Sequence, residues 1–89
     1  MKAVLFYWGK GSEVRVKILL ELYRCSGSNT PCYLNSLADY LKLSHVAVKK
    51  HLDLLLEHKY VRPVNPLGKP VYLELSEQGN EVVKEFLSK

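Results

Sequence analysis

The sequence predicts an α+β fold, mostly α: a three-helix core, a β-hairpin and a closing helix, in one domain over residues 1–89. Three observations carry this. Leucine, valine and isoleucine recur at three- and four-residue spacing in four separate segments, the pattern of helices with one buried face. Two β-rich runs, 60–64 and 70–75, flank a turn at 65–69 that holds Pro66 and Gly68, as in a hairpin. Eighty-nine residues, 47% apolar and 25% charged, suit one globular unit and not a disordered chain.

The elements follow in order. Residues 1–11 form an apolar arm, Val4, Leu5, Phe6, Tyr7 and Trp8, interrupted by Gly9, Lys10 and Gly11. Ser12 reads as an N-cap with Glu13 in the first turn of a helix over 13–24. Val14, Ile18, Leu19 and Leu22 make one apolar face of that helix, and Val16, Leu20 and Tyr23 make a second, so it predicts two partners. Residues 26–31 are a loop by composition, and 32–34 a short strand. Asn35 caps a second helix to residue 41, with Leu37, Ala38 and Leu41 inward. After a tight turn at Lys42 and Leu43, Ser44 caps a third helix over 45–58. Val48, Leu52, Leu55 and Leu56 form its inner face. Pro63, Pro66 and Pro70 donate nothing to a ladder, so the hairpin has open edges. Ser76 caps the closing helix, 77–88, whose Val82, Val83, Phe86 and Leu87 share a stripe.

Several classes are excluded. No apolar run approaches the roughly 20 residues that span a bilayer, and the short apolar opening lacks the small-residue cleavage site of a signal peptide. The expectation is an intracellular protein without a membrane partner. There is no Gly-rich phosphate loop, acid pair or Cys–His spacing that points to catalysis, so neither an enzyme nor a cofactor is expected. His51 and His58 lie seven apart, yet nothing completes a metal site around them. Cys25 and Cys32 admit two readings. One is a pair of free thiols; the other is a bridge of the kind that intracellular proteins of hyperthermophiles use.

The run Leu37, Ala38, Leu41, Leu43, Ser44, Val48, Leu52, Leu55, Tyr60, Val61 resembles the helix-turn-helix of winged-helix regulators of the MarR and ArsR type. It also resembles that of small winged-helix proteins of archaea and archaeal viruses. Val71 to Gly79, with Ser76 as cap and Glu77-Gln78-Gly79 after it, is similar to that family's second wing strand leading into its last helix. The resemblance spans residues 12–88. It departs at Lys42 and Lys59, where the family usually has glycine at a left-handed position. It implies a helix-turn-helix at 35–58, a wing at 60–75 and binding to double-stranded DNA, with no small-molecule effector evident.

The residues themselves fit that implication. Helices of this kind insert their N-terminal half into the major groove. His45, Val46, Ala47, Lys49 and Lys50 lie off the core stripe there, where small apolar groups suit thymine methyls and lysines suit phosphates or guanine. Lys42, Ser44, Arg62 and Lys69 complete the expected contact set, with Lys69 at the hairpin tip on the backbone or minor groove. Net charge is +4 overall. Between residues 42 and 72 six Lys/Arg face two acids, whereas from 73 to 89 two lysines face four glutamates. The basic part therefore coincides with the helix-turn-helix and wing.

The apolar arm is costly to leave in water. Either it folds back on its own core or, the favoured expectation, it joins the first and last helices in a homodimer interface. That interface would hold Val4, Leu5, Phe6, Trp8, Val16, Leu20, Tyr23, Val83, Phe86 and Leu87. A two-fold dimer implies a near-palindromic operator. The competing function is a winged-helix module that contacts proteins and not DNA.

Overall fold

The computed structural model describes residues 3–88. The first two positions of the arm and Lys89 lie outside the described residues. An N-terminal π-helical turn (Val4–Trp8) leads into α1 (Ser12–Gly27), β1 (Cys32–Tyr33), α2 (Leu34–Leu41), α3 (His45–Glu57), β2 (Val61–Pro63), β3 (Tyr72–Leu75) and α4 (Glu77–Leu87). The strands form one antiparallel sheet in the order β1-β3-β2. Cys32 pairs with Leu73 and Tyr33 with Tyr72 on one side of β3. Val61, Arg62 and Pro63 pair with Leu75, Glu74 and Leu73 on the other.

One core holds the elements together. Ile18, Leu19 and Leu22 of α1 are buried with Leu37 and Ala38 of α2, Val48, Leu52 and Leu55 of α3, and Val82 and Val83 of α4. Val61 and Leu75 close the core from the sheet. The spacing-based inner faces are largely the observed ones, with Val14, Leu41, Leu56 and Phe86 only partly buried at the edge and Leu87 exposed. Among the described residues, no helix is long and apolar enough to cross a membrane.

Two helix starts differ from the sequence expectation. Ser12 is not the cap of α1. Gly11, at φ 83°, precedes the helix and its carbonyl accepts from Arg15 N at 3.1 Å, so the helix begins one residue earlier; it also runs three residues further, to Gly27. Asn35 does not cap α2, which begins at Leu34. Ser36 does that work through its Oγ, which accepts from Tyr33 N at 2.9 Å and donates to Tyr33 O at 2.8 Å. Ser44 and Ser76 cap as expected, accepting from Ala47 N and Gly79 N, each at 3.1 Å.

The dimer expectation needs correction at three residues. Leu5 and Phe6 are buried in the chain's own core, with the Phe6 ring edge-on to Tyr60 at 4.9 Å, and Val83 is buried as well. Arg15 holds the N-terminal turn in place. Its guanidinium, 4% exposed, donates to Leu5 O at 2.7 Å and Lys10 O at 3.1 Å. Tyr7 stacks on Phe86 and donates its hydroxyl to Glu85 at 2.8 Å. Burial of Leu5 and Phe6 meets that part of the apolar cost within the chain, whereas Val4 and Trp8 stay exposed.

A disulfide joins Cys25, in the last turn of α1, to Cys32 in β1, with Cα atoms 6.4 Å apart. Of the two readings of these cysteines, the bridge is the one found. Glu21 lies beside it, and its carboxylate and the two sulfurs fall within 4.8 Å of one another. The sulfurs are bonded to each other, and Arg24 grips both carboxylate oxygens at 2.7 Å.

Candidate nucleic-acid interface

α3 is anchored from behind and open in front. Val48, Leu52 and Leu55 sit in the core, while His45, Val46, Lys49, Lys50 and Asp53 are exposed, Val46 at 78%. At 3.6 residues per turn these five lie on one arc of the helix, opposite the core stripe. Ala47 is half-buried at the border. The sequence placed Val46, Lys49 and Lys50 on this face, and the structure keeps them there.

The turn into α3 is built on a left-handed lysine. Lys42 has φ 58°. Leu43 N donates to Ala38 O at 3.1 Å and Lys42 N to Asp39 O at 3.3 Å, the paired bonds of a Schellman motif. The same pattern ends α3, where Lys59 has φ 67° and Tyr60 N donates to Leu55 O at 2.9 Å. Both positions that the family resemblance marks as glycine sites are therefore left-handed here, with lysine in the place of glycine. Each projects a cation at a helix end near the exposed face.

The cations differ in how free they are. Lys49 bonds Asp53 across one helical turn at 3.0 Å, and Arg62 bonds Glu74, its cross-strand partner, at 2.8 Å. Lys42, Lys50 and Lys69 are exposed and make no ion pair among the described residues. Lys49 and Arg62 are thus held by acids and are less available to a second anion, although exposed pairs contribute only about 0–1 kcal/mol. Ser44 spends its side chain on the α3 cap and offers only its surface edge.

His51 departs from the exposed face. It points inward, where its Nδ1 lies 3.1 Å from Arg15 Nη1. A guanidinium only donates, so Nδ1 accepts and the ring is neutral, with its proton on Nε2. Burial, then the charges of Arg15 and Lys50, hold the His51 pKa below its ordinary value. This latch ties α3 to α1 and, through Arg15, to the N-terminal turn. One histidine and one arginine 36 residues apart gave no sequence signal for this bond.

The wing is held by a residue that sequence reasoning passed over. Asn65 Oδ1 accepts from Tyr72 N at 2.7 Å, its Nδ2 donates to Pro70 O at 3.2 Å, and its carbonyl accepts from Gly68 N at 2.8 Å. The available signal was Asn-Pro-Leu-Gly, since asparagine side chains stand in for backbone in turns. Among the residues expected in a dimer interface, Val4, Trp8, Tyr23 and Leu87 are exposed, and Val16, Leu20 and Phe86 are partly buried. Leu20, Tyr23 and Leu87 line an open groove of about 800 Å³ with Val14, Tyr40 and Leu43.

No protein-family model and no curated protein matches the sequence. Solved structures do match. AF1382 from Archaeoglobus fulgidus superposes with TM-score 0.78 at 19% identity, covering 99% of this chain and 91% of its own. ZitR from Lactococcus lactis gives TM-score 0.70 at 24% identity over 86% of this chain and 56% of its own. A mutant of MarR from E. coli, complexed with operator DNA, gives 0.67 at 22% identity over 81% of this chain and 50% of its own. The chain thus spans about half the length of the ZitR and MarR chains that it matches. Its helix-turn-helix, three-stranded sheet and closing helix make up the winged-helix fold of MarR-type regulators.

Proposed function

We propose that this chain is a sequence-specific double-stranded DNA-binding transcriptional regulator that acts as a homodimer and carries out no catalysis. α3 enters the major groove, and residues 65–69 rest on the backbone or minor groove. One observation carries the reading: the N-terminal half of α3 presents His45, Val46, Lys49 and Lys50 to solvent while Val48, Leu52 and Leu55 fix the helix from behind. In support, a MarR mutant that shares the fold was solved complexed with operator DNA.

The dimer reading now rests on Trp8, Tyr23, Leu20 and Leu87 with the groove beside them, and no longer on Leu5, Phe6 or Val83. A protomer measures 33 × 26 × 22 Å. A two-fold dimer would present two copies of α3 to a near-palindromic operator, with half-sites about one turn of DNA, roughly 34 Å, apart.

Selection of bound sequences from random duplexes tests binding, palindromy and half-site spacing together. Lys49→Ala with Lys50→Ala should weaken binding to the selected site at least tenfold, and unchanged affinity would remove α3 as the reader. The apolar groove favours a second reading, a module that docks another protein. A gel at low salt without any DNA shift, alongside an intact fold, would select it.

A further inference from the structure

We propose that Leu67, at the tip of the wing, is a wedge that enters a base step from the minor groove and kinks the duplex. The proposal rests on the DNA-binding reading above and adds to it a residue and a deformation.

Leu67 is 98% exposed, more than Trp8 at 83% or Val46 at 78%. An aliphatic side chain left wholly in water forgoes about 1.5–3 kcal/mol of burial. Its exposure is built in. Pro66 fixes the backbone before it, and the three Asn65 hydrogen bonds close the loop behind it. A Cβ at Gly68 would meet Asn65 Nδ2 at 2.0 Å, so the chain is folded tightly there and the leucine is turned outward. A tip ordered in advance loses little entropy on insertion.

The surroundings state the partner's chemistry. Residues 58–73 contain Lys59, Arg62 and Lys69 and no acid. Val64 and Lys69 are exposed beside the tip. An outward apolar tip on a hairpin whose one acid, Glu74, is paired with Arg62 fits a polyanion with an apolar interior. Stacked base pairs between phosphate rails are such a target, and leucine is among the residues that unstack them. An anionic membrane offers similar chemistry, but one leucine gives it little to hold.

The test uses the full chain and a duplex of about 30 alternating T·A pairs, whose TA steps kink easily. Dyes at both ends read bending, and 2-aminopurine in place of several adenines reads unstacking. Wild type should raise both signals at low salt. Leu67→Ala should abolish both and weaken binding several-fold. Leu67→Lys should keep the affinity through its charge and still lose both signals. Thermal melts should be unchanged, because the side chain touches nothing in the fold. Equal bending and unstacking by wild type and Leu67→Ala overturns the wedge and leaves the regulator reading standing. Absence of any duplex binding by wild type overturns both. Loss of binding to phosphatidylserine vesicles, with DNA bending intact in Leu67→Ala, overturns the wedge in favour of a membrane contact.

Discussion

Lys42 and Lys59 sit in left-handed backbone, at φ 58° and 67°, where a side chain with Cβ costs about 1 kcal/mol relative to glycine. On the proposed function, stability and phosphate attraction pull in opposite directions at Lys42, which opens the turn before α3. Lys42→Gly should raise unfolding stability by about 0.5–1 kcal/mol, the gain trimmed by glycine's unfolded-state entropy. It should also weaken DNA binding and lower the salt slope by about one per protomer. Denaturant midpoints and salt-titrated affinities measure the two effects separately. The Arg15–His51 latch gives a pH prediction. Burial and two cations lower the His51 pKa in the fold, so the unfolded chain takes up the proton first. Stability is full above the unfolded value of about 6.5 and falls as pH drops below it, as the ring charges beside Arg15. His51→Gln should flatten that fall in denaturation midpoints compared between pH 7.5 and 5. An equal fall in the variant would place the titrating group elsewhere.

At the scale of elements, much of the order was legible because capping and spacing are local physics. Ser44 and Ser76 head their helices, and the leucines of α3 face inward, as periodicity alone required. What stayed hidden depends on contacts between distant segments. Gly79 stood in the sequence as part of a Glu-x-Gly landmark. Its reason appears only in three dimensions: a Cβ there would meet Tyr60 O at 2.1 Å, where α4 starts against the end of α3. The fate of Leu5 and Phe6 was equally invisible, since a short apolar run reads the same whether its cover is Tyr60 or a second copy. The exposed arc of α3 was readable, as was the place of His51 at the edge of the core, but the bond from His51 to Arg15, 36 residues away, was not. The bridge from Cys25 to Cys32 ties α1 to the sheet's first strand, which in turn pairs with the wing strand β3. In the chain-entropy account a loop this short contributes about 2–3 kcal/mol. Cys25→Ala with Cys32→Ala, or a dithiol reductant on wild type, should lower the melting temperature by roughly 10–20 °C for a domain of this size. A melt indifferent to both would make the bridge energetically idle.

Charge is uneven along the molecule. Six of the thirteen Lys/Arg lie between residues 42 and 72 against two acids there, and exposed Glu77 and Glu81 lie on α4. Binding to a polyanion should then be strongly salt-dependent, because each neutralised phosphate releases counterions. The slope also reports assembly. Lys42, Lys50 and Lys69 are the site cations without an ion pair among the described residues, three in each copy. At about −0.9 per phosphate, a dimer on its operator should show a slope near −5 in log K against log salt, and a monomer near −3. Asp53 sharpens the test. It lies in the middle of the exposed arc and holds Lys49 at 3.0 Å. Asp53→Asn removes an anion from the interface and frees a lysine for phosphate. Affinity at low salt should rise, and the slope should steepen by about 0.9 for each protomer bound, so a dimer gains nearly two units and a monomer nearly one. The same double step, read from one substitution outside the lining of the Leu20 and Leu87 groove, counts the subunits on DNA without altering that groove. An Asp53→Asn protein with unaltered affinity and slope would show that this arc of α3 never meets the duplex.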